Sequence, residues 1–120
     1  MVHSFIYLGK ERGKRVIYKV GQTKQTCYAR CKCSDYLIGM GIEIKLSPST
    51  LNKELNSIER EILKVFSDKF PIEHGNEYFR MKKYDWDMSK DFFLIEMLVI
   101  LRNRGLNYTI YDEWVKPNTY

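Results

Sequence analysis

The alternation of apolar and polar positions near the start of the chain predicts a β-hairpin. Residues 4–9 and 15–20 are rich in strand-forming residues, and the polar segment 11–14 between them contains a glycine. Two such runs around a short glycine-containing loop are typical of paired antiparallel strands. We expect Gly21 to end the second strand.

The pattern then changes to that of a helix followed by a strand. A first helix is predicted over residues 25–38, with Thr23 or Thr26 as its N-cap and the glycine-rich segment 39–41 as its end. Residues 42–46 alternate apolar and polar side chains with a period of two. This alternation predicts a half-buried strand with one face in solvent.

The rest of the chain predicts a second helix, a short edge strand, a third helix, and a final strand or packed tail. These elements are expected over residues 51–68, 76–81, 88–104 and 107–114. Ser49 or Thr50 is a suitable N-cap for the second helix, and Gly105 should stop the third. The predicted fold class is therefore α/β (α+β): a small, mainly antiparallel three-stranded sheet flanked by about three helices.

One carboxylate in the second helix breaks its apolar pattern. Leucine, isoleucine and phenylalanine side chains form a stripe at helical spacing, at Leu55, Ile58, Ile62 and Phe66. At about 100° per residue, Glu59 falls within this stripe. A carboxylate there is costly unless it is paired, binds a metal or lies at the edge of the stripe. The sequence leaves a functional Glu59 and an edge Glu59 equally open.

Length and charge limit the possible classes of protein. The 120 residues suffice for one domain, with a core over 4–81 and a C-terminal helix and tail over 85–120. The net charge of +5 and the sequence pI of about 9.1 suit either a soluble basic protein or one that binds a polyanion. The apolar run 92–101 is shorter than the roughly 20 residues that span a bilayer, so we predict a buried helix and no membrane partner.

Three cysteines lie close together, at Cys27, Cys31 and Cys33. An odd, clustered number does not suit a disulfide framework and favours a reducing compartment, such as the cytoplasm or the host cell of a virus or phage. A zinc site with His74 is an alternative, but the sequence offers no second pair of ligands at zinc-binding spacing. The chain begins directly with strand-like sequence, so no signal peptide is expected.

Five short motifs, taken in order, resemble the GIY-YIG nuclease superfamily, in particular its small members from phages and large DNA viruses. The matching positions are Phe5-Ile6-Tyr7, Lys19-Val20-Gly21-Gln22-Thr23, Arg30, Glu59 and Glu77-Tyr78-Phe79. The resemblance covers about residues 4–81. It implies an endonuclease that hydrolyses DNA phosphodiester bonds with Mg²⁺ or Mn²⁺.

The resemblance also implies roles for four residues. Tyr7 would contact or deprotonate the attacking water, and Arg30 would hold the scissile phosphate. Lys19 stands where the family has a second tyrosine and would act as a cation or a base, unless Tyr18 serves instead in a shifted register. Glu59 would be the only direct protein ligand of the metal. Whether Tyr7 and Lys19 share a face depends on the hairpin register.

Basic residues around the hairpin are candidates for contacts with the DNA backbone. They are Lys10, Arg12, Lys14, Arg15 and Lys24. A solvated turn is the competing interpretation. Departures from the family pattern at Phe5, Lys19 and Ser34 also leave open an inactive viral protein that binds and inhibits a host or defence protein, or a simple nucleic-acid-binding module. The expected oligomeric state is a monomer or a homodimer.

Overall fold

The computed structural model describes residues 4–11, 16–23 and 38–111. In chain order, the elements are β1 (Ser4–Glu11), β2 (Ile17–Thr23), β3 (Ile38–Leu46), α1 (Asn52–Lys69), β4 (Ile72–His74), β5 (Tyr78–Arg80), α2 (Trp86–Arg104) and β6 (Tyr108–Tyr111). The six strands form one antiparallel sheet in the order β4-β5-β2-β1-β3-β6. The α+β class is confirmed, but the predicted three strands are too few.

The hairpin of β1 and β2 is confirmed, and its register places Tyr7 opposite Gly21. The strands are longer than predicted, because β1 continues to Glu11 and β2 continues past Gly21 to Thr23. Gly21 does not end its strand. Its lack of a side chain instead makes room for the ring of Tyr7 across the pair. Thr23 is the last residue of β2, and the residues that follow it, up to 37, lie outside the described part of the chain.

Strand β3 corrects the expectation for the glycine-rich segment 39–41. This segment lies within β3 and does not end a helix, since pairing runs along nearly the whole of β1, including Gly9 opposite Gly41. Such pairing outweighs the weak strand preference of glycine. Of the predicted first helix, only Ile38 lies within the described residues, where it starts β3.

One edge of the sheet also differs from expectation. The predicted edge strand over residues 76–81 corresponds to β5, which lies between β4 and β2. The short strand β4 forms that edge. The final segment 107–114 contributes a strand, β6, which pairs with β3 and forms the opposite edge.

Both helices belong to the core that covers one face of the sheet. The apolar stripe of α1 is confirmed, since Leu55, Ile58, Ile62 and Phe66 are buried. They join a cluster that includes strand residues such as Ile6. None of the helices in the described part of the chain is long and apolar enough to span a membrane.

The ends of the helices are fixed in different ways. Leu51 precedes α1 and makes no capping hydrogen bond through its side chain, so the prediction of Ser49 or Thr50 as N-cap was wrong. Asp85 caps α2 by accepting a 2.8 Å hydrogen bond from the Met88 backbone. Gly105 ends α2 with a positive φ of 65°, as predicted.

Arg104, near the end of α2, joins the two helices. Its guanidinium donates to Glu54 at 2.7 Å, to Ser57 at 2.8 Å and to Glu61 at 2.5 Å, all on α1. These contacts fix α2 against α1 and hence the position of α1 over the sheet. The two carboxylates raise the pKa of the Arg104 side chain, which keeps it charged.

Candidate functional site

The face of the sheet opposite the two helices carries Tyr7 near its centre. Tyr7 is 2% exposed and lies on the middle strand β1. A Cβ atom built on Gly21 would lie 2.6 Å from both Cζ and Oη of Tyr7, so the phenol passes directly over the glycine. Gly21 is therefore required by the close approach of the ring.

Lys19 projects from the same face as Tyr7, two residues before Gly21 on β2. Its Nζ atom lies 5.9 Å from the centre of the Tyr7 ring and 5.6 Å from the centre of the Tyr78 ring. It is also 3.9 Å from Oε2 of Glu77. Lys19 is buried, so its charge is held between two aromatic rings and a carboxylate.

Tyr18 projects from the opposite face. It is buried in the core beneath the helices, and its ring stacks with that of Trp86 at 6.4 Å. The register therefore places Lys19, not Tyr18, beside Tyr7. If one of these two residues replaces the second tyrosine of the GIY-YIG pattern, the shared face favours Lys19.

Glu59 reaches this group from α1. Its carboxyl is half-buried, and its pKa is raised above the ordinary value of 4.5. Burial is the largest cause of this raised pKa, and the negative charge of Glu77 adds to it. A hydrogen bond with the Gln22 side chain and the positive charge of Lys19 act in the opposite direction. Glu59, Glu77 and Lys19 thus form one electrostatically coupled group.

Gln22 holds α1 close to the end of β2. Its side-chain Nε2 donates a 2.8 Å hydrogen bond to Oδ1 of Asn56, one helical turn before Glu59. The same side chain contacts Glu59. This bridge joins the end of β2 to the turn of α1 that carries Glu59.

Two acidic residues of this region were not predicted as site residues. Glu77 was named only as part of the Glu77-Tyr78-Phe79 motif, and no local pattern marked it as a site residue. Glu43 was expected on the solvent face of a half-buried strand, but it is completely buried. It lies opposite Tyr7 in the register of β1 and β3. Since the register was unknown, nothing in the sequence identified Glu43 as a buried carboxylate.

The two carboxylates Glu59 and Glu77 suit a divalent cation. No group of three or more His, Cys, Asp or Glu side chains that could hold a metal occurs within residues 4–11, 16–23 and 38–111. Mg²⁺ accepts as few as one or two carboxylates, because it retains water and binds substrate phosphate oxygens. The raised pKa of Glu59 also indicates unfavourable negative charge that a cation would relieve.

Several predicted residues lie outside the part of the chain that the structure describes. They are Arg30, the candidate for holding the phosphate; Arg12, Lys14, Arg15 and Lys24, the candidates for DNA contacts; and the three cysteines. Lys10 is described. It lies within β1, partly buried and paired with Tyr18, so it belongs to the strand and not to the turn.

Comparisons of the chain with protein-family models, curated proteins and solved structures find no match. Membership of the GIY-YIG superfamily thus stays a prediction from the motifs. The geometry of Tyr7, Lys19, Glu59 and Glu77 has to carry the functional argument by itself.

Proposed function

We propose that this protein is a metal-dependent endonuclease that hydrolyses DNA phosphodiester bonds. The observation that carries the proposal is the half-buried Glu59 carboxyl, whose pKa is raised by burial and by Glu77, beside the buried cation of Lys19 and the phenol of Tyr7. Groups of opposite charge with perturbed pKa values mark functional sites more often than ordinary surfaces. The basic net charge suits a DNA substrate.

In the proposed reaction, a water oxygen attacks phosphorus and the bond from phosphorus to the leaving oxygen breaks. The water loses a proton, and the leaving oxygen gains one. Glu59 and Glu77 would hold Mg²⁺ or Mn²⁺, which when bound supplies positive charge to the phosphate and lowers the pKa of water. Two carboxylates as the ligands from the described residues leave room for water and phosphate oxygens.

Lys19 and Tyr7 are the other described residues of the proposed catalytic site. The Lys19 ammonium favours the ionised form of a nearby phenol, and a phenolate can accept a proton from water. An ordinary tyrosine has a pKa near 10 and is a poor base at neutral pH without such a cation. Arg30 would hold the scissile phosphate, because a guanidinium binds phosphate oxygens in pairs.

The proposal is tested by incubating the purified protein with supercoiled plasmid in Mg²⁺ or Mn²⁺, and in EDTA. Nicked product should form only with metal. Glu59→Ala and Arg30→Ala should each abolish nicking while the protein stays folded by circular dichroism. Equal nicking by wild type and both variants would exclude the proposed site.

A second candidate function is binding without catalysis. The observation that favours it is burial: Tyr7 is only 2% and Lys19 only 5% exposed, so a phosphate reaches them only if the surrounding structure moves. An inactive GIY-YIG-like viral protein that inhibits a host or defence protein, or a simple DNA-binding module, would need no such access. Such a protein would yield no cleavage products with any metal.

A further inference from the structure

A pocket of about 370 Å³ lies where α1 ends and the segment between β5 and α2 begins. Its volume is within the range of about 300–1,000 Å³ that is common for small-molecule sites. Its apolar wall includes Phe70, Pro71 and Tyr84. The Tyr84 ring is held edge-on against Phe70 at 5.1 Å, with an interplanar angle of 85°. The pocket thus offers a positioned aromatic surface.

Four cations surround this apolar wall: Lys69, Arg80, Lys82 and Lys83. Arg80 is neutralised by Glu73, to which its guanidinium donates at 2.8 Å and 2.5 Å. Lys82 and Lys83 are exposed, and within the described part of the chain neither forms an ion pair. The rim therefore keeps a positive charge.

Lys69 contributes in a different way. Its Nζ atom lies over the Phe92 ring at 4.7 Å and near the Tyr84 ring at 5.5 Å. The ammonium is thereby held beside the aromatic wall while remaining on an exposed residue. A ligand that combines a flat apolar ring with a phosphate would satisfy both parts of the pocket.

The pocket is connected to the proposed catalytic site through β5. Tyr78, which contacts the Lys19 ammonium, and Arg80, which lines the pocket, are two residues apart and so project from the same face. Tyr78 and Lys82 are four positions apart in the chain, which limits the separation of their Cα atoms to about 14 Å.

We infer that the pocket binds one unpaired nucleotide of a single-stranded DNA segment, with the base on the Tyr84 wall and a phosphate on Lys82 and Lys83. An unpaired base is required because a base inside a duplex has both faces stacked on its neighbours. The position of this nucleotide, on the same strand as the cleaved bond and close to it, rests on the proposed nuclease function. The binding itself does not.

The inference is tested by fluorescence anisotropy with a labelled oligothymidine in EDTA, where metal-dependent cleavage cannot occur. Lys82→Ala/Lys83→Ala should weaken binding about tenfold and flatten the dependence of affinity on salt, since each lost phosphate contact reduces the slope by about 0.7. Lys64→Ala/Arg102→Ala removes the same charge from exposed helix positions and should change the affinity less than threefold.

Tyr84 tests the base contact. Tyr84→Leu should weaken binding to the single strand about fivefold or more, and Tyr84→Phe should restore it, since base stacking on an aromatic ring contributes about 1–3 kcal/mol. Affinity for a blunt duplex should be unaffected by Tyr84→Leu. The inference would be overturned if the double lysine variant kept the wild-type affinity for the single strand. It would also be overturned if Tyr84→Leu weakened binding to the single strand and to the duplex equally.

The pocket and the nuclease proposal fail in distinguishable ways. If the protein binds DNA through the pocket but never cleaves it, the nuclease proposal is wrong and the nucleotide-binding inference stands. If the protein cleaves DNA with metal but its binding does not depend on Lys82, Lys83 and Tyr84, the nucleotide-binding inference is wrong and the nuclease proposal stands.

Discussion

The phenol of Tyr7 lies so close over Gly21 that a single added methyl group would come within 2.6 Å of the ring carbon Cζ and of the hydroxyl oxygen. Tyr7 is also 2% exposed and pairs with Gly21 across the central hairpin. The position of the phenol beside Lys19 thus depends on a glycine at residue 21.

Gly21→Ala should displace the Tyr7 ring. We expect a destabilisation of about 1–3 kcal/mol, because the methyl group overpacks a buried site, and a large loss of DNA cleavage. Urea denaturation measures the first effect. In a Tyr7→Leu background the ring is gone, so Gly21→Ala should cost clearly less. An equal cost in both backgrounds would show that the clash with Tyr7 is not the cause.

Lys19→Met should separate charge from packing at the site. Methionine keeps most of the length of the buried side chain, and the partner Glu77 is 39% exposed and stays solvated. The free energy of unfolding should therefore change by no more than about 1 kcal/mol. In the wild-type protein the Lys19 charge lowers the pKa of Glu59, so this pKa should rise further in the variant. NMR titration of the Glu59 carboxyl measures this shift.

Lys45→Met is the matched control for Lys19→Met. Lys45 is a partly buried lysine of β3, and its charge does not contribute to the raised pKa of Glu59. DNA cleavage should fall at least a hundredfold in Lys19→Met and stay near wild type in Lys45→Met. Similar cleavage by the two variants would argue against a role for the Lys19 charge.

Glu59→Gln should make the metal-free protein more stable at neutral pH. The folded pKa of Glu59 lies above its ordinary value of 4.5, so the folded state binds the proton more tightly than the unfolded chain. The free energy of unfolding therefore falls as the pH rises from about 4.5 through the folded pKa. Glutamine carries no charge and avoids this loss. We expect its free energy of unfolding at pH 7 to exceed that of wild type by up to about 1 kcal/mol, a value that already allows for solvent screening.

Urea denaturation at two pH values tests this linkage. The gain from Glu59→Gln should disappear at pH 4 and below, where the carboxyl is protonated in both states. Millimolar Mg²⁺ should stabilise the wild-type protein more than the variant, because a ligand that binds only the folded state adds to its stability. If Glu59→Gln is less stable than wild type at pH 7 without metal, the ionised Glu59 carboxyl does not destabilise the folded state.

Arg104→Met should loosen the contact between the two helices. The substitution removes three hydrogen-bonding contacts to α1, two of them with carboxylates, and we expect a loss of about 1–3 kcal/mol. Arg102→Met is the control, since Arg102 is exposed and should change stability by no more than about 0.5 kcal/mol. Thermal melts compare the two, and equal effects would contradict the bridging role of Arg104.

Local patterns predicted the elements whose own side chains decide their structure. The hairpin followed from its strand-forming runs, and α1 followed from a stripe at helical spacing that the structure buries at Leu55, Ile58, Ile62 and Phe66. Gly105 stops α2 as expected, because a positive φ at that position favours glycine.

Features that depend on distant parts of the chain were missed. Segment 39–41 has the composition of a break, and only its pairing with β1 makes it a strand. Glu43 has the polar character of a solvent face, and only the register opposite Tyr7 identifies it as a buried carboxylate. Glu77 joins Glu59 through the packing of α1 near β5, which no local pattern encodes.

The most direct test of the proposed site is the rate of metal-dependent DNA cleavage by single-residue variants that change only charge. Under single-turnover conditions with Mn²⁺, Glu59→Gln and Glu77→Gln should each slow cleavage at least a hundredfold. Asp68→Asn, which removes an exposed charge from the same helix as Glu59, should cleave at the wild-type rate. Wild-type protein that makes no metal-dependent cut, or a Glu59→Gln variant that cuts as fast as Asp68→Asn, would contradict the account.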